Sequence, residues 1–142
     1  RKSVEGKMML KVTKVLEEKE LQELYEAVGW SAYTRDMPTL QRAISHSLHV
    51  VTAWQDDRLV GLIRVVGDGL TIVYIQDLLV HPDFQKQGIG RELMKAILSR
   101  YSDVRQLVLL TEEAPDVRNF YEACGFTSCD QGQTVAFGLF RS

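Results

Sequence analysis

Apolar residues recur along the chain with two different spacings, and the changes of spacing mark its elements. Alternation in "MMLKVTKV" (8–15) predicts a first strand. "EKELQELYEAVG" places Leu21, Leu24, Tyr25 and Val28 at i, i+3, i+4 and i+7, one face of a helix, with Gly29 as its stop. "GWSAYTRDMP" reads as a loop ending at Pro38, and a second helix follows from Thr39 with Leu40, Ala43, Ile44 and Leu48 inward. "SLHVVTAW" and "RLVGLIRVV" read as a hairpin turned at Asp56 and Asp57. After a turn at "GDG" (67–69), "LTIVYIQDLLV" is the longest β-branched and aromatic run and predicts a strand to about Val80. His81-Pro82 ends it, because proline lacks the N–H a ladder needs. Ile89, Leu93, Met94, Ile97, Leu98 and Tyr101 then share a helical face. "RQLVLL" predicts a fifth strand and "PDVRNFYEACG" a further helix, with Pro115 in its first turn and Gly125 at its exit. "FTSCD" and "TVAFGLF" predict a closing hairpin across "QGQ". The order is βααβββαβαββ, a mixed α/β sheet with at least one β–α–β unit. A chain of 142 residues suits one domain, with residues 1–7 as a loose leader.

Composition narrows the function without choosing it. Seventeen basic and 19 acidic residues leave a net charge of −2, which argues against a nucleic-acid partner. No apolar run approaches the length of a membrane span, so no membrane partner is expected. Cys124 and Cys129 stand alone, without a second Cys or His pair to make a zinc site, and read as reduced thiols in the cytoplasm. No metal is expected. The oligomeric state stays open, a homodimer included.

The chemistry gathers at "HPDFQKQGIGREL" (81–93). Gly88 and Gly90 follow a strand and open a helix, although glycine costs about 1 kcal/mol inside one. The first N–H groups of a helix have no internal acceptor and carry partial positive charge, so a phosphate suits that end. Glycine lets such a ligand approach the backbone, and Lys86 and Arg91 add charge. A tight turn before a helix explains two glycines equally well on these residues alone. Two other phosphate motifs fail. A dinucleotide fold needs a third glycine where Leu93 stands, and a P-loop needs Gly-Lys-Ser/Thr where Gly90 is followed by Arg91 and Glu92.

"LLVHPDFQKQGIGREL" resembles the acyl-CoA-binding signature of the GNAT superfamily of N-acetyltransferases, Gln/Arg-x-x-Gly-x-Gly/Ala, through Gln85, Gly88 and Gly90. Thirty residues on, "NFYEACGF" (119–126) resembles the family's FYxxxGF segment, and the element order fits over nearly the whole chain. The resemblance implies a mostly antiparallel central sheet flanked by helices and acetyl-CoA as co-substrate. It implies that backbone amides from Gln85 through Lys86, Gln87, Gly88, Ile89 and Gly90 to Arg91 hold the pyrophosphate. Leu78, Leu79 and Val80 would pair with the pantetheine arm, the N–H of Leu79 facing the thioester oxygen. Tyr121 matches the family's general acid, against the alternative of a core tyrosine. Many members carry an asparagine seven residues before that tyrosine. Here the position is Ala114, with Asn119 nearby as a substitute contact to the cofactor.

Acetyl transfer also needs a neutral amine. One with a pKa of about 10.4 is neutral in about one molecule in 2,500 at pH 7. Asp77, on the strand beside the expected thioester, is the first candidate to take the proton. Glu112 and Glu113 come next, then His46 and His49. Trp30 and Tyr33 are candidates to line an amine pocket, a small primary amine or arylalkylamine being the preferred acceptor. A protein lysine or N-terminus, or a CoA-binding module without chemistry, are the alternatives. Direct attack in a ternary complex needs no acyl-enzyme, and nothing near Cys124 suggests an activated nucleophile.

Overall fold

The structure is a computed structural model and describes residues 7–141, so the leader, Lys7 apart, lies outside the described residues. Its backbone forms two compact units, residues 7–110 and 111–141. The first holds a five-stranded sheet in chain order, β1 (Met8–Val12), β2 (His49–Gln55), β3 (Arg58–Gly67), β4 (Ile72–Val80) and β5 (Gln106–Leu109). The first four strands are antiparallel and β5 runs parallel to β4.

Helices α1 (Glu18–Ala27), α2 (Ser31–Thr34) and α3 (Met37–Ser45) precede β2, and α4 (Ile89–Arg100) joins β4 to β5. The helix start expected at Thr39 comes two residues earlier. Asp36 caps it by accepting from the Thr39 N–H at 3.1 Å, which makes Pro38 a first-turn residue and not a loop end. Within the stretch read as loop, residues 31–34 form the single turn α2.

Leu21, Leu24, Tyr25, Leu40 and Ile44 pack with Val50, Trp54, Leu62 and Leu79 on one face of the sheet. Each fully buried leucine or isoleucine contributes about 1.5–3 kcal/mol. Ile89, Leu93, Met94 and Ile97 of α4 cover the opposite face. A Cβ at Gly61 would stand 3.1 Å from Ile89 and 3.2 Å from Leu93, so the missing side chain lets α4 sit close on β3. Leu62, the next residue, points to the other face, as alternation requires.

The turn between β3 and β4 is held by Asp68, whose Oδ1 accepts from the amides of Leu70, Thr71 and Ile72 at 2.8, 2.8 and 3.0 Å. Those backbone bonds hold its carboxyl well below the ordinary carboxylate range. The contribution of a group depressed in this way is complete above the unfolded-chain value, near 4, and is lost as pH falls toward the folded one. Asp68→Asn is therefore expected to lower the urea midpoint at pH 7 and to flatten its fall below pH 4. An acid limb as steep as the wild type's would mean the turn carboxylate contributes nothing.

The second unit contains α5 (Pro115–Ala123) and a short 3₁₀ turn, Cys129–Gln131. The closing hairpin expected over 126–140 is not formed. Val135, Phe137 and Leu139 alternate with smaller or polar residues and Phe140 follows directly, yet all four are exposed. Alternation supplies a face and not a partner, and two strands without a third element are marginal in water. Apart from the added turn α2, the expected order thus holds through α5, and its last two strands are absent among the described residues.

Candidate active site

The pairing of β4 with β5 stops early. Ile72 to Ile75 lie opposite Gln106 to Leu109, and β4 then continues to Val80 with no partner on that side. Five residues of strand edge are left open, ending at the glycine loop. The N–H of His81 donates to the Val60 carbonyl at 2.8 Å, and the β3–β4 register is regular from Asp77 to Val80. Backbone groups alternate sides along a strand, so the amides of Leu79 and Asp77 face β3 while those of Leu78 and Val80 face the open edge. The Leu79 amide, expected to face the thioester, therefore faces β3, and the open edge carries those of Leu78 and Val80. Only a structural anchor such as His81 could phase the alternation.

Pro82–Phe84 make one 3₁₀ turn, and Gln85 ties the loop back to the strand by donating from Nε2 to the Val80 carbonyl at 3.0 Å. Lys86 (φ 64°) and Gly88 (φ 86°) both take the left-handed backbone conformation, a geometry that turns successive amides to one side. Gly88 is the N-cap of α4, and a Cβ there would meet nothing within 4 Å. The first bond of the helix runs from the Glu92 N–H to the Gly88 carbonyl. The Gln85 amide, expected among the phosphate donors, instead donates to the Pro82 carbonyl at 3.4 Å, while among the described residues no acceptor serves the amides of residues 86–91. These donors and the exposed Lys86 and Arg91 fit a diphosphate, and the open edge fits an extended amide-bearing arm.

Asp77 is not the surface carboxylate that direct proton abstraction needs. It is 2% exposed and paired with Arg64, whose Nε donates to Oδ2 at 2.7 Å. Tyr25 donates to the same oxygen and Tyr33 to Oδ1, both at 2.8 Å. Burial and the neighbouring carboxylate push both phenols up. The Tyr33 hydroxyl also accepts from Gln76 at 2.9 Å and from Arg64 at 3.4 Å, and Arg64 reaches Ser47 at 3.4 Å. Arg64 and Gln76 escaped the sequence reading. Their signals were a lone charge inside "LVGLIRVV" and two polar residues together in "YIQDLLV". Trp30 and Tyr33 are half-buried and form a ring cluster with Tyr25, at centroid distances of 5.2–6.1 Å.

His49 is buried edge-on to Tyr101, and burial, with Arg100 and Lys14, lowers its pKa. His46 is the exposed C-cap of α3.

In the second unit α5 carries Tyr121, half-buried, its ring edge-on to Phe120 and Phe126. Burial pushes its phenol up, partly offset by a hydrogen bond with Thr111. Asn119 lies exposed on the same helix, and Ala114 is its N-cap, without a side-chain bond. Glu113 is held by Arg118 at 2.6 and 2.7 Å, and Arg118 also holds Asp130, which removes it from the list of bases at hand. Glu112 is exposed, and both cysteines are thiols. Among the described residues no group of His, Cys, Asp or Glu is placed to hold a metal, and no helix is long and apolar enough to cross a membrane.

Residues 12–139 match the family described as "Acetyltransferase (GNAT) domain". An uncharacterized ycf52-like N-acetyltransferase of Prochlorococcus marinus is 36% identical over 83% of this chain and 67% of its own length. The chain belongs to the GNAT family. It is a GNAT N-acetyltransferase domain, and a GNAT-family acetyltransferase structure from Streptococcus pneumoniae TIGR4 superposes with a TM-score of 0.83. That structure is 36% identical, the match covering 96% of this chain and all of the other. Serotonin N-acetyltransferase 2, chloroplastic, of Oryza sativa subsp. japonica is 32% identical over 86% of this GNAT chain. The chain spans 62% of that protein's length, and 63–67% of the length of the first ycf52-type relatives it matches.

Proposed function

We propose that the protein transfers the acetyl group of acetyl-CoA to a small primary amine, an arylalkylamine first, by direct attack in a ternary complex. One observation carries the reading. A run of donor amides, 86–91, without acceptors among the described residues lies at the end of an open strand edge whose Leu78 and Val80 amides face outward. The loop amides would hold the pyrophosphate and the strand edge the pantetheine arm. Bound acetyl-CoA supplies the activated acyl thioester. The Leu78 amide offers a hydrogen bond where negative charge grows on the thioester oxygen. The amine loses its proton through water and not directly to Asp77, whose oxygens already accept three bonds. The arylalkylamine preference draws on the ring cluster of Trp30 and Tyr33 and on the rice relative named for serotonin.

The match of "NFYEACGF" to the family's FYxxxGF segment assigns Tyr121 to the leaving sulfur. Full proton transfer from a phenol of pKa about 10 to a thiolate of pKa about 8.5 is uphill by about 2 kcal/mol, and burial widens the gap. The hydroxyl therefore stabilises the sulfur by hydrogen bonding more than by giving up its proton. Tyr121→Phe is expected to lower kcat on the order of 10²-fold, the low end for a positioned proton donor, with the Kd for CoA unchanged. The measurement is thiol release against a panel of primary amines and a lysine-containing peptide. An unchanged kcat would remove the phenol from the chemistry. A wild-type protein that binds CoA yet acetylates nothing would be a binding module.

A further inference from the structure

Successive side chains of an unbroken strand project to opposite faces. Gln76 and Asp77 do not. The register places Arg64 opposite Asp77 and Val65 opposite Ile75, which leaves Gln76 as the extra residue of a bulge. Both side chains reach one hydroxyl, that of Tyr33.

The direction of every hydrogen bond in this chain is fixed. Asp77, ion-paired with Arg64, only accepts, so Tyr33 must donate to it. Both lone pairs of the phenol then receive Gln76 and Arg64, which leaves the hydroxyl nothing to offer a substrate. Gln76 must present its NH₂ to Tyr33 and turn Oε1 outward. Gln76 is exposed, and among the described residues nothing donates to that oxygen. It stands where β4 leaves β5, two residues, about 7 Å, along the open edge from Leu78.

We infer that Gln76 Oε1 is the point that receives an N–H of the acceptor amine, and that Tyr33, Asp77 and Arg64 act through it as positioning residues. The inference rests on the acetyl-transfer reading above. A primary amine suits a neutral, outward acceptor because an N–H remains on the nitrogen throughout attack. A carboxamide would also flip readily were its donor end not held.

The test uses the best acceptor from the amine panel and three variants, Gln76→Met, Tyr33→Phe and the pair together. Gln76→Met keeps length and loses the oxygen, and Tyr33→Phe keeps the ring packing and releases the amide. Each single change is expected to raise the KM for the amine about tenfold, with the KM for acetyl-CoA within twofold. The double variant is expected to be no worse than Gln76→Met, since both changes break one chain. An NMR titration of the same amine into CoA-saturated protein should show the same loss and does not depend on turnover. An unchanged amine KM in Gln76→Met, equal losses for amine and acetyl-CoA, or full additivity would each overturn the inference. Absence of turnover by the wild type with every amine would instead sink the acetyl-transfer reading, and this inference with it.

Discussion

Gly88→Asp is expected to abolish acetyl-CoA binding, a loss of at least 10²-fold, because two or more charge-assisted bonds of about 1.5–3 kcal/mol each would go. Three effects act in the same direction. The φ of +86° suits glycine, and an L residue there costs about 1–2 kcal/mol. A Cβ there would meet no protein atom within 4 Å, so the new side chain starts in open space at the loop and not in the core. Its carboxylate can then accept from the donors between 86 and 91, acting as an internal competitor for the phosphates. Gly88→Ala separates strain from charge, since it brings the first without the second, and should weaken binding by a smaller factor. Calorimetric titration of CoA into the three proteins reads the series. Undiminished affinity in Gly88→Asp would place the pyrophosphate elsewhere.

The same loop shows what a sequence can display. Two glycines at a strand-to-helix junction are visible because their backbone demand is local, and the inward faces of α1, α3 and α4 are visible because a helical period needs no partner to be read. Information that depends on pairing is less accessible. The bulge at Gln76 exists only relative to β3, and it reverses which side of the strand each later amide faces. By position Leu79 is the natural choice, whereas by register its amide faces β3 and that of Leu78 faces the open edge. Asp77 looked like a base because its charge was legible and Arg64, 13 residues earlier, was not connected to it by any local pattern. The tail from 126 errs in the opposite direction, as the alternation of "TVAFGLF" is genuine but no neighbouring strand pairs with it among the described residues.

Asp77→Leu is expected to destabilise the fold by about 3–5 kcal/mol, because it strands the Arg64 guanidinium, 5% exposed, without its counter-charge. The Tyr25 hydroxyl, buried beside it, loses its acceptor as well. Removing both charges together should cost far less. In Arg64→Met/Asp77→Leu no buried charge remains, and a well-packed apolar pair of similar volume is often neutral. The double variant should recover most of the loss and keep a deficit of about 1–3 kcal/mol for the orphaned tyrosine. Urea unfolding of the wild type, both singles and the double gives the coupling directly. Equal destabilisation in Asp77→Leu and the double variant would show that the ion pair is incidental to the fold. The double variant also bears on chemistry. If water takes the amine's proton, its kcat should stay within a few-fold of wild type while the amine KM rises, since Tyr33 is no longer obliged to hold Gln76. A collapse of kcat in a protein that remains folded would return the role of base to Asp77.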